Sequence, residues 1–199
     1  CLVDVPIDHL HRLSRQIEAE VTTTQADAHY KAVMDRGWFW LMLHSGLRTC
    51  EIRRLRLSDL NLEARQVRIE QSKGLQDRIV FLSQTGIEAL KAYLVLRSPA
   101  ETDHIFIYRH QPLKVGYCGR RLRFYGERCG LHVTPHQLRF CCATLLLNAG
   151  TPILTVQRIL GHQRVETTLR YARLYDSTIA RHYGRAMAEV EGGDYWSCI

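Results

Sequence analysis

Apolar residues recur every three to four positions along most of the chain, which is the spacing of one helix face. The second such segment carries Trp38 and Met42 on its apolar face and is expected to end at Gly46. Thr85 and Glu88 have the spacing of a capping box at the start of a later helix. Helices are expected at about 7–20, 28–45, 48–55, 85–96, 117–129, 134–149, 151–160 and from 165 onward.

Strict alternation of apolar and polar residues is confined to the middle of the chain. Val67 and Ile69 alternate with Arg68 and Glu70, which is typical of a strand with one buried face. Ser72-Lys73-Gly74 is expected to form the turn that leads to the next strand. Short strands are expected at 57–61, 66–71, 78–82 and 105–107. The predicted fold class is therefore mainly α with a small antiparallel β-sheet (α+β).

The charge of the chain indicates what kind of partner it binds. The net charge is +7, and arginine dominates the basic residues, so that a polyanionic partner is favoured through bidentate phosphate contacts. No apolar stretch reaches the roughly 20 residues that a membrane span needs. Asp4, Asp8 and His9 interrupt any signal-peptide pattern. A chain of 199 residues is long enough to bury the core of one domain.

The seven cysteines indicate reduced thiols in a cytoplasmic protein. Their number is odd and no pair has Cys-x-x-Cys spacing, which argues against a disulfide framework. Cys129, His132 and His136 could suggest zinc, but a fourth ligand at suitable spacing is missing. The sequence therefore predicts neither a metal nor another cofactor.

Three short segments near the C-terminus contain the residues with the clearest chemistry. TPHQLRF (134–140), ILGH (159–162) and RYA (170–172) supply His136, Arg139, His162 and Tyr171 in that order. A guanidinium and two imidazoles can neutralise a pentavalent phosphate, while a phenol supplies the nucleophile. Tyr175 lies one helical turn beyond Tyr171, and a packing role is preferred for it.

Helix signals place two of these residues where an anion would bind. Thr134 is a good N-cap, Pro135 suits the first helical position, and Gln137 completes a capping box. His136 is then in the first turn, where free N–H groups and the helix dipole favour phosphate, and Arg139 projects from the same face. The expected buried stripe of this helix consists of Leu138, Cys142, Leu145 and Leu146.

These residues resemble the tyrosine recombinases, or phage-type integrases. The catalytic domain of that family carries His-x-Leu-Arg, then Leu-Gly-His, and nine residues later a nucleophilic tyrosine. It also carries Gly-Leu-Arg-x-x-Glu, matched in HSGLRTCEIRRLRLSDL (44–60) by Arg48 and Glu51, and a hairpin lysine, matched in SKGLQDRIVFL (72–82) by Lys73. The resemblance covers roughly 7–185, and the ordered set of five motifs is highly specific although each motif alone is weak.

The resemblance implies a site-specific recombinase or integrase, an enzyme that breaks and rejoins DNA without metal or ATP. Tyr171 would attack the scissile phosphate, leaving a 3′-phosphotyrosine and a free 5′-hydroxyl. Arg48 and Arg139 would hold the non-bridging oxygens, and Lys73 would be the general acid for the leaving 5′-oxygen. Arg78 is a weaker substitute for Lys73.

The remaining site residues would assist. His136 would help proton transfer at the tyrosine, His162 would donate a hydrogen bond to the phosphate, and Glu51 would orient Arg48. Arginines of the helix at 117–129 would contact the DNA backbone or form a solvated face; they are Arg120, Arg121 and Arg123. Two other functions remain open, a type IB topoisomerase and a non-catalytic DNA-binding module of the same fold.

The resemblance also implies an assembly on double-stranded DNA. The chain is expected to be a single catalytic domain, 1–199, with its core at about 7–185 and without the N-terminal core-binding domain of the family. Such proteins work as homo-oligomers, here expected to be a tetramer on DNA in the cytoplasm. The tail at about 177–199, with apolar Ile179 and Tyr183, would dock on a neighbouring protomer or pack in cis.

Overall fold

The structure of the chain, a computed structural model, describes residues 5–70, 77–161 and 176–192. Most of these residues are helical, and the strands are short, as the sequence predicts. The helices are α1 Ile7–Thr23, α2 Ala26–Ser45, α3 Thr49–Arg54, α4 Gln84–Leu96, α5 Tyr117–Arg128, α6 Pro135–Asn148, α7 Ile153–Leu160 and α8 Asp176–Gly192. The strands are β1 Leu60–Asn61, β2 Gln66–Ile69, β3 Arg78–Phe81, β4 Ile107–Tyr108 and β5 Gln111–Pro112.

The chain divides into two compact units. The first comprises 1–142 with 159–161, and the second comprises 143–158 with 162–199. The predicted hairpin turn at 72–74 and the predicted helix from about 165 lie outside the described residues. No helix of the described part is long and apolar enough to span a membrane.

Helix α2 forms the centre of the first unit, because it is apolar on nearly all sides. Trp38, Phe39 and Leu41 are fully buried, and α1 and α4 pack against the helix. A helix that is hydrophobic all round belongs in a core rather than at a surface. The helix ends at Gly46, which adopts the left-handed conformation with φ 65°, as predicted.

A buried carboxylate in α2 connects this core helix to α5. Asp35 is fully buried and accepts hydrogen bonds from Trp38 Nε1 at 2.9 Å, Arg121 Nε at 2.5 Å and Tyr125 Oη at 2.8 Å. Because a buried charge without partners is very unfavourable, these donors fix the packing of α5 on α2.

The sheet has the order β1-β2-β3 and is antiparallel, with Val67 opposite Val80 and Ile69 opposite Arg78. Val67, Ile69 and Val80 are buried, so the predicted alternation is confirmed. The prediction of a strand over 57–61 is partly wrong, because Leu57–Asp59 form a 3-10 turn. Asp59 Oδ2 accepts from the Arg56 backbone N–H at 2.9 Å, and this bond closes the turn before β1 begins.

Helix α4 begins differently from the prediction. The hydroxyl of Ser83 accepts from the Gly86 backbone N–H at 3.1 Å, so Ser83 is the N-cap and the predicted capping box of Thr85 and Glu88 is wrong. Glu88 instead accepts a hydrogen bond from the Gln84 side chain at 2.8 Å. Thr85 already lies within the helix, because the Ser83 hydroxyl satisfies the free backbone N–H of Gly86.

The strand predicted at 105–107 lies two residues later and belongs to a hairpin. Strand β4 pairs with β5, and the two turn residues Arg109 and His110 have φ values of 52° and 60°. Positive φ at both central residues is the geometry of a tight hairpin turn. Ile105 is buried and donates to the Leu55 carbonyl at 2.8 Å instead of pairing in this hairpin.

Helix α6 is enclosed on more sides than its predicted stripe implies. Leu138 and Cys142 are buried as expected, but Leu145 and Leu146 are only half-buried. Leu147 is buried in their place. The buried residues 138–144 are consecutive, so the middle of this helix has no solvent face from which a stripe could be distinguished.

The described residues of the second unit include the end of α6, most of α7, and α8. Arg181 of α8 donates to the Asn148 carbonyl at the end of α6, and Thr178 is buried. On the same helix Ile179 and Tyr183 are 51% and 67% exposed. Helix α8 therefore makes a contact within its own unit and still presents apolar side chains to solvent.

Candidate active site

The turn after α2 places the first polar groups of the site. A Cβ atom on Gly46 would lie 2.4 Å from Leu160 Cδ2, and the positive φ of Gly46 also disfavours a side chain. The close approach brings the Gly46 carbonyl near the end of α7. Glycine is therefore needed here both for its conformation and for space.

Arg48 and Glu51 are joined at the start of α3. The Glu51 carboxylate accepts from the Arg48 backbone N–H at 2.7 Å and from Arg48 Nη1 at 3.0 Å. The first bond satisfies a free donor of the helix start, and the second holds the guanidinium. The Glu51 side chain is 9% exposed whereas that of Arg48 is 38% exposed, so Arg48 keeps donors available to a ligand.

Arg139 lies beneath this pair, 6% exposed. Within the described residues its two Nη groups donate to neutral carbonyl oxygens, those of Gly46 and Leu160. Burial, and with it the nearby charge of Arg48, lowers the pKa of Arg139 to about 10. An anion that approached Arg139 would relieve this unfavourable burial of positive charge.

Arg78, at the first position of β3, is the second partner of Glu51. Its Nη1 and Nη2 donate to the two carboxylate oxygens at 2.8 and 3.0 Å, a bidentate contact in which both side chains are 9% exposed. Burial alone would raise the pKa of Glu51. The bonds and charge of Arg78, together with the backbone donor of Arg48, outweigh burial and lower it.

The three arginines converge on the last carbonyls of α7. Arg78 Nε donates to Ile159 O at 3.2 Å, Arg139 donates to Leu160 O, and Arg48 Nη2 donates to Gly161 O at 3.4 Å. These carbonyls end a helix, where the free acceptors and the dipole favour cations. The residue that follows them in sequence is His162.

His136 is at the start of α6, as predicted. The Gln137 backbone N–H donates to Thr134 Oγ1 at 3.3 Å, and the Thr134 N–H donates to Gln137 Oε1 at 2.9 Å. The predicted capping box is therefore confirmed. His136 is exposed, whereas Arg139, three residues later, is buried.

This arrangement suits a phosphate diester. Three guanidinium charges meet at one place, and within the described residues Glu51 is the carboxylate that bonds to two of them, those of Arg48 and Arg78. The excess of positive charge can bind an anion and stabilise the further negative charge of a pentavalent transition state. Lys73, His162 and Tyr171 lie outside the described residues.

The arginines predicted to contact DNA occupy different environments on α5. Arg120 and Arg123 are exposed. Arg121 is half-buried, bonds to Asp35 and lies over the Phe124 ring at 4.3 Å. Its donors are thus engaged in holding α5 on α2.

The sequence prediction missed the place of Arg78 in the site. The signal was available in the strand periodicity, because Arg78 is two residues before Val80 and therefore faces the same side of β3 as a core residue. A charged side chain at an inward position needs a buried partner. Glu51, at the start of a helix and three residues after an arginine, is that partner.

The comparison with known proteins assigns the class. The model of the phage integrase family matches residues 13–178, and the chain therefore belongs to that family. It is 38% identical over 167 residues to the tyrosine recombinase XerC of Neisseria gonorrhoeae, covering 82% of this chain and 54% of that protein. The chain spans about half the length of the curated relatives it matches.

Solved structures have the same fold. A crystal structure of XerA recombinase has a TM-score of 0.77 at 28% identity and covers 92% of this chain and 65% of that one. The XerH site-specific recombinase bound to a palindromic difH substrate has a TM-score of 0.72 at 23% identity, covering 98% of this chain and 53% of that one. The predicted fold class, mainly α with small antiparallel sheets and similar to a tyrosine recombinase catalytic domain, is confirmed.

Proposed function

We propose that the chain is the catalytic part of a site-specific DNA recombinase that cuts and rejoins strands through a 3′-phosphotyrosine. The observation that supports this most is the meeting of Arg48 and Arg139 at the end of α7, with an excess of positive charge around one carboxylate. Phosphodiester transfer needs such a preorganised set of donors where charge develops. The chemistry requires neither metal nor ATP, because the covalent link conserves the energy of the phosphodiester.

In this mechanism Tyr171 Oη attacks the scissile phosphorus while the bond to the 5′-oxygen breaks. His136 accepts the phenolic proton, and Lys73 delivers a proton to the departing 5′-oxygen. Arg48 and Arg139 bind the non-bridging oxygens, and His162 donates a hydrogen bond to them. Glu51 holds Arg48 in place. Rejoining is the reverse reaction, with a 5′-hydroxyl of another strand displacing Tyr171.

The related proteins favour recombination over topoisomerase action. XerA and XerC are tyrosine recombinases, and XerH is bound to a specific substrate, difH. Membership of the phage integrase family supports the same choice. The burial of Arg139 near Arg48, with carbonyl oxygens as its acceptors among the described residues, supports a catalytic role over a non-catalytic one.

The DNA partner is proposed to contact α5 as well. Arg120 and Arg123 are exposed on this helix and can reach phosphates. Arg121 is held by Asp35, so its contribution would be to position the helix. Action on DNA in the cytoplasm is proposed as well, because the odd number and the spacing of the cysteines argue against a disulfide framework.

The functional assembly is proposed to be a homotetramer on DNA. Exposed Ile179 and Tyr183 of α8 support docking of the 177–199 tail on a neighbouring protomer, since apolar side chains at this exposure favour a partner. Sizing of the DNA complex, with and without residues after about 180, tests this proposal. Loss of the higher assembly on truncation is expected, whereas an unchanged assembly would contradict docking in trans.

The enzymatic proposal is tested by covalent capture. A pool of duplexes with a randomised centre, in which sulfur replaces the bridging 5′-oxygen, would be incubated with the chain, because the thiolate product rejoins poorly and traps the adduct. We expect an adduct with wild type and with Tyr175→Phe, and none with Tyr171→Phe. Binding without any adduct would contradict the enzyme. Relaxation of supercoiled DNA without site preference would indicate a topoisomerase.

A further inference from the structure

We propose that Arg78 is a positioning residue of the active site, which holds Arg48 through Glu51 and sets the turn that leads to His162. The effect of Arg78 on catalysis rests on the proposed function. Its contacts with Glu51 and with the end of α7 rest on the geometry alone. A strand residue is thus assigned a task that the catalytic motifs do not include.

Arg48 and Arg78 share one carboxylate, that of Glu51. Glu51 receives two bonds from Arg78 and, on the same oxygens, one from Arg48 Nη1 and one from the Arg48 backbone. The orientation of that carboxylate is therefore set by the more buried arginine. Arg78 is 9% exposed and bidentate, whereas Arg48 is 38% exposed and bonds through a single guanidinium nitrogen. If Arg78 were lost, the carboxylate could rotate, and Arg48 would move with it.

Arg78 also contacts the end of α7. Its Nε donates to Ile159 O, and its side chain lies against Gly161. A Cβ atom on Gly161 would be 2.9 Å from both Cδ and Nε of Arg78. Gly161 has a φ of 63°. The turn thus fits the stem and head of this arginine, and the residue after the turn is His162.

Arg78 is also occupied as a hydrogen-bond donor within the protein. Each of its three guanidinium nitrogens donates to a protein acceptor, two to Glu51 and one to Ile159 O. Bidentate donation to a carboxylate is the geometry of a fixed positioning contact. Arg78 therefore acts through its neighbours and does not replace Lys73 as general acid.

The experiment uses the negative charge of the phosphate, which the positioned Arg48 is expected to stabilise. Arg48 is expected to stabilise negative charge on a non-bridging oxygen, so a methylphosphonate, in which a methyl group replaces that oxygen, needs Arg48 less. Arg78→Lys keeps a positive charge but cannot make the bidentate contact. Its effect should then depend on the substrate in the same way as that of Arg48→Lys. A variant that only weakens the fold would slow both substrates equally.

The test uses a duplex recovered in the covalent-capture experiment. Single-turnover cleavage is measured with the scissile linkage made as a phosphodiester, as a methylphosphonate and as a 5′-bridging phosphorothiolate. We expect Arg78→Lys to slow the phosphodiester about 10- to 100-fold and the methylphosphonate at least about tenfold less than that. The phosphorothiolate, whose leaving group needs no proton, should not restore Arg78→Lys but should restore Lys73→Met. The proposal would be overturned if Arg78→Lys slowed the phosphodiester and the methylphosphonate equally, or if the phosphorothiolate restored its cleavage rate.

A matched control is Arg97→Lys. Arg97 also donates to backbone carbonyls, those of Thr102, His104 and Ile105, but it belongs to the connection after α4. Its replacement should lower the thermal unfolding midpoint without changing the ratio of the substrates. Glu51→Gln, which keeps the shape of the side chain, serves as a second variant and should show the same substrate dependence as Arg78→Lys.

A readout without cleavage keeps this proposal separate from the proposed function. Nitrogen-15 guanidinium spectra of the chain are expected to show the Arg48 signal displaced towards that of free arginine in Arg78→Lys, and unmoved in Arg97→Lys. An Arg48 signal that stays in place would overturn the positioning role even if the chain cleaves DNA. A displaced signal in a chain that forms no adduct would support the contact while the enzymatic proposal fails.

Discussion

Arg139 is a buried cation whose hydrogen-bond acceptors among the described residues are neutral, and its replacement is expected to affect the site strongly. Its Nη groups bind the carbonyls of Gly46 and Leu160, which lie far apart in sequence. A lysine has one compact head group and cannot bind two such acceptors in the plane of a guanidinium. Arg139 therefore joins two turns, and in the proposed mechanism it also presents charge to the phosphate.

We predict that Arg139→Lys lowers single-turnover cleavage by about 100- to 1,000-fold, the usual effect of removing one donor from a charge-stabilising site. The measurement is the rate of adduct formation at saturating protein. Circular dichroism at the assay temperature serves as the control for folding. A folded variant with unchanged rate would show that the guanidinium does not contact the phosphate.

Gly161 gives a prediction about stability. Gly161→Ala places a Cβ 2.9 Å from the Arg78 side chain at a φ of 63°, and a strained backbone of this kind costs about 1–3 kcal/mol. Urea unfolding measures the loss. Gly184→Ala is the matched control, because no atom of the described part of the chain lies within 4 Å of its Cβ position in α8 and alanine is favoured in a helix by up to about 1 kcal/mol. Equal effects of the two variants would contradict the tight turn.

Glu51 gives a pH dependence. Its pKa is lowered in the folded chain, so the unfolded chain binds more protons between the ordinary value of about 4.3 and the folded value. The stability that the ionised Glu51 carboxylate contributes is fully present above the ordinary pKa of about 4.3. It is lost as pH falls through the folded pKa. Urea unfolding at a series of pH values should show that Glu51→Gln is less stable than wild type near neutrality and less sensitive to acid. A variant with the full acid sensitivity of wild type would contradict the paired carboxylate.

At the scale of elements, α2 and α5 depend on one buried ion pair. Replacing Asp35 by alanine leaves Arg121 without its carboxylate, a change that typically costs about 3–5 kcal/mol. The thermal unfolding midpoint measures this loss. Asp103→Ala is the control, because the Asp103 pair with Arg56 is about half exposed and should matter little. A small effect of Asp35→Ala would mean that α5 is held by apolar contacts instead.

The elements that the sequence predicted best are those with local causes. Helix α2 has a continuous apolar pattern and a glycine stop, and α6 has its own capping box, so both follow from neighbouring residues. The errors at 57–59 and at the start of α4 come from short side chains, Asp59 and Ser83, that bond to nearby backbone. Such competition is local, but periodicity of apolar residues does not detect it.

At the scale of the whole molecule, the catalytic motifs were predicted from sequence because their chemistry and order are distinctive. The contacts between them were not, since Glu51 and Arg78 are 27 residues apart and Arg48 and Gly161 are 113 apart. Only folding brings these groups to the end of α7. The site is thus a product of four separate segments, and the role of each arginine depends on a carbonyl or carboxylate that another segment supplies.

The most direct test of the account is to identify the residue that becomes linked to DNA and the end to which it is linked. Captured adducts would be digested with protease and nuclease, and the linked peptide sequenced by mass spectrometry. The account predicts a single nucleotide-bearing peptide, modified at Tyr171 through a 3′-phosphate, with a free 5′-end on the other product. A link at Tyr175 or at another residue, or a link through a 5′-phosphate, would contradict it.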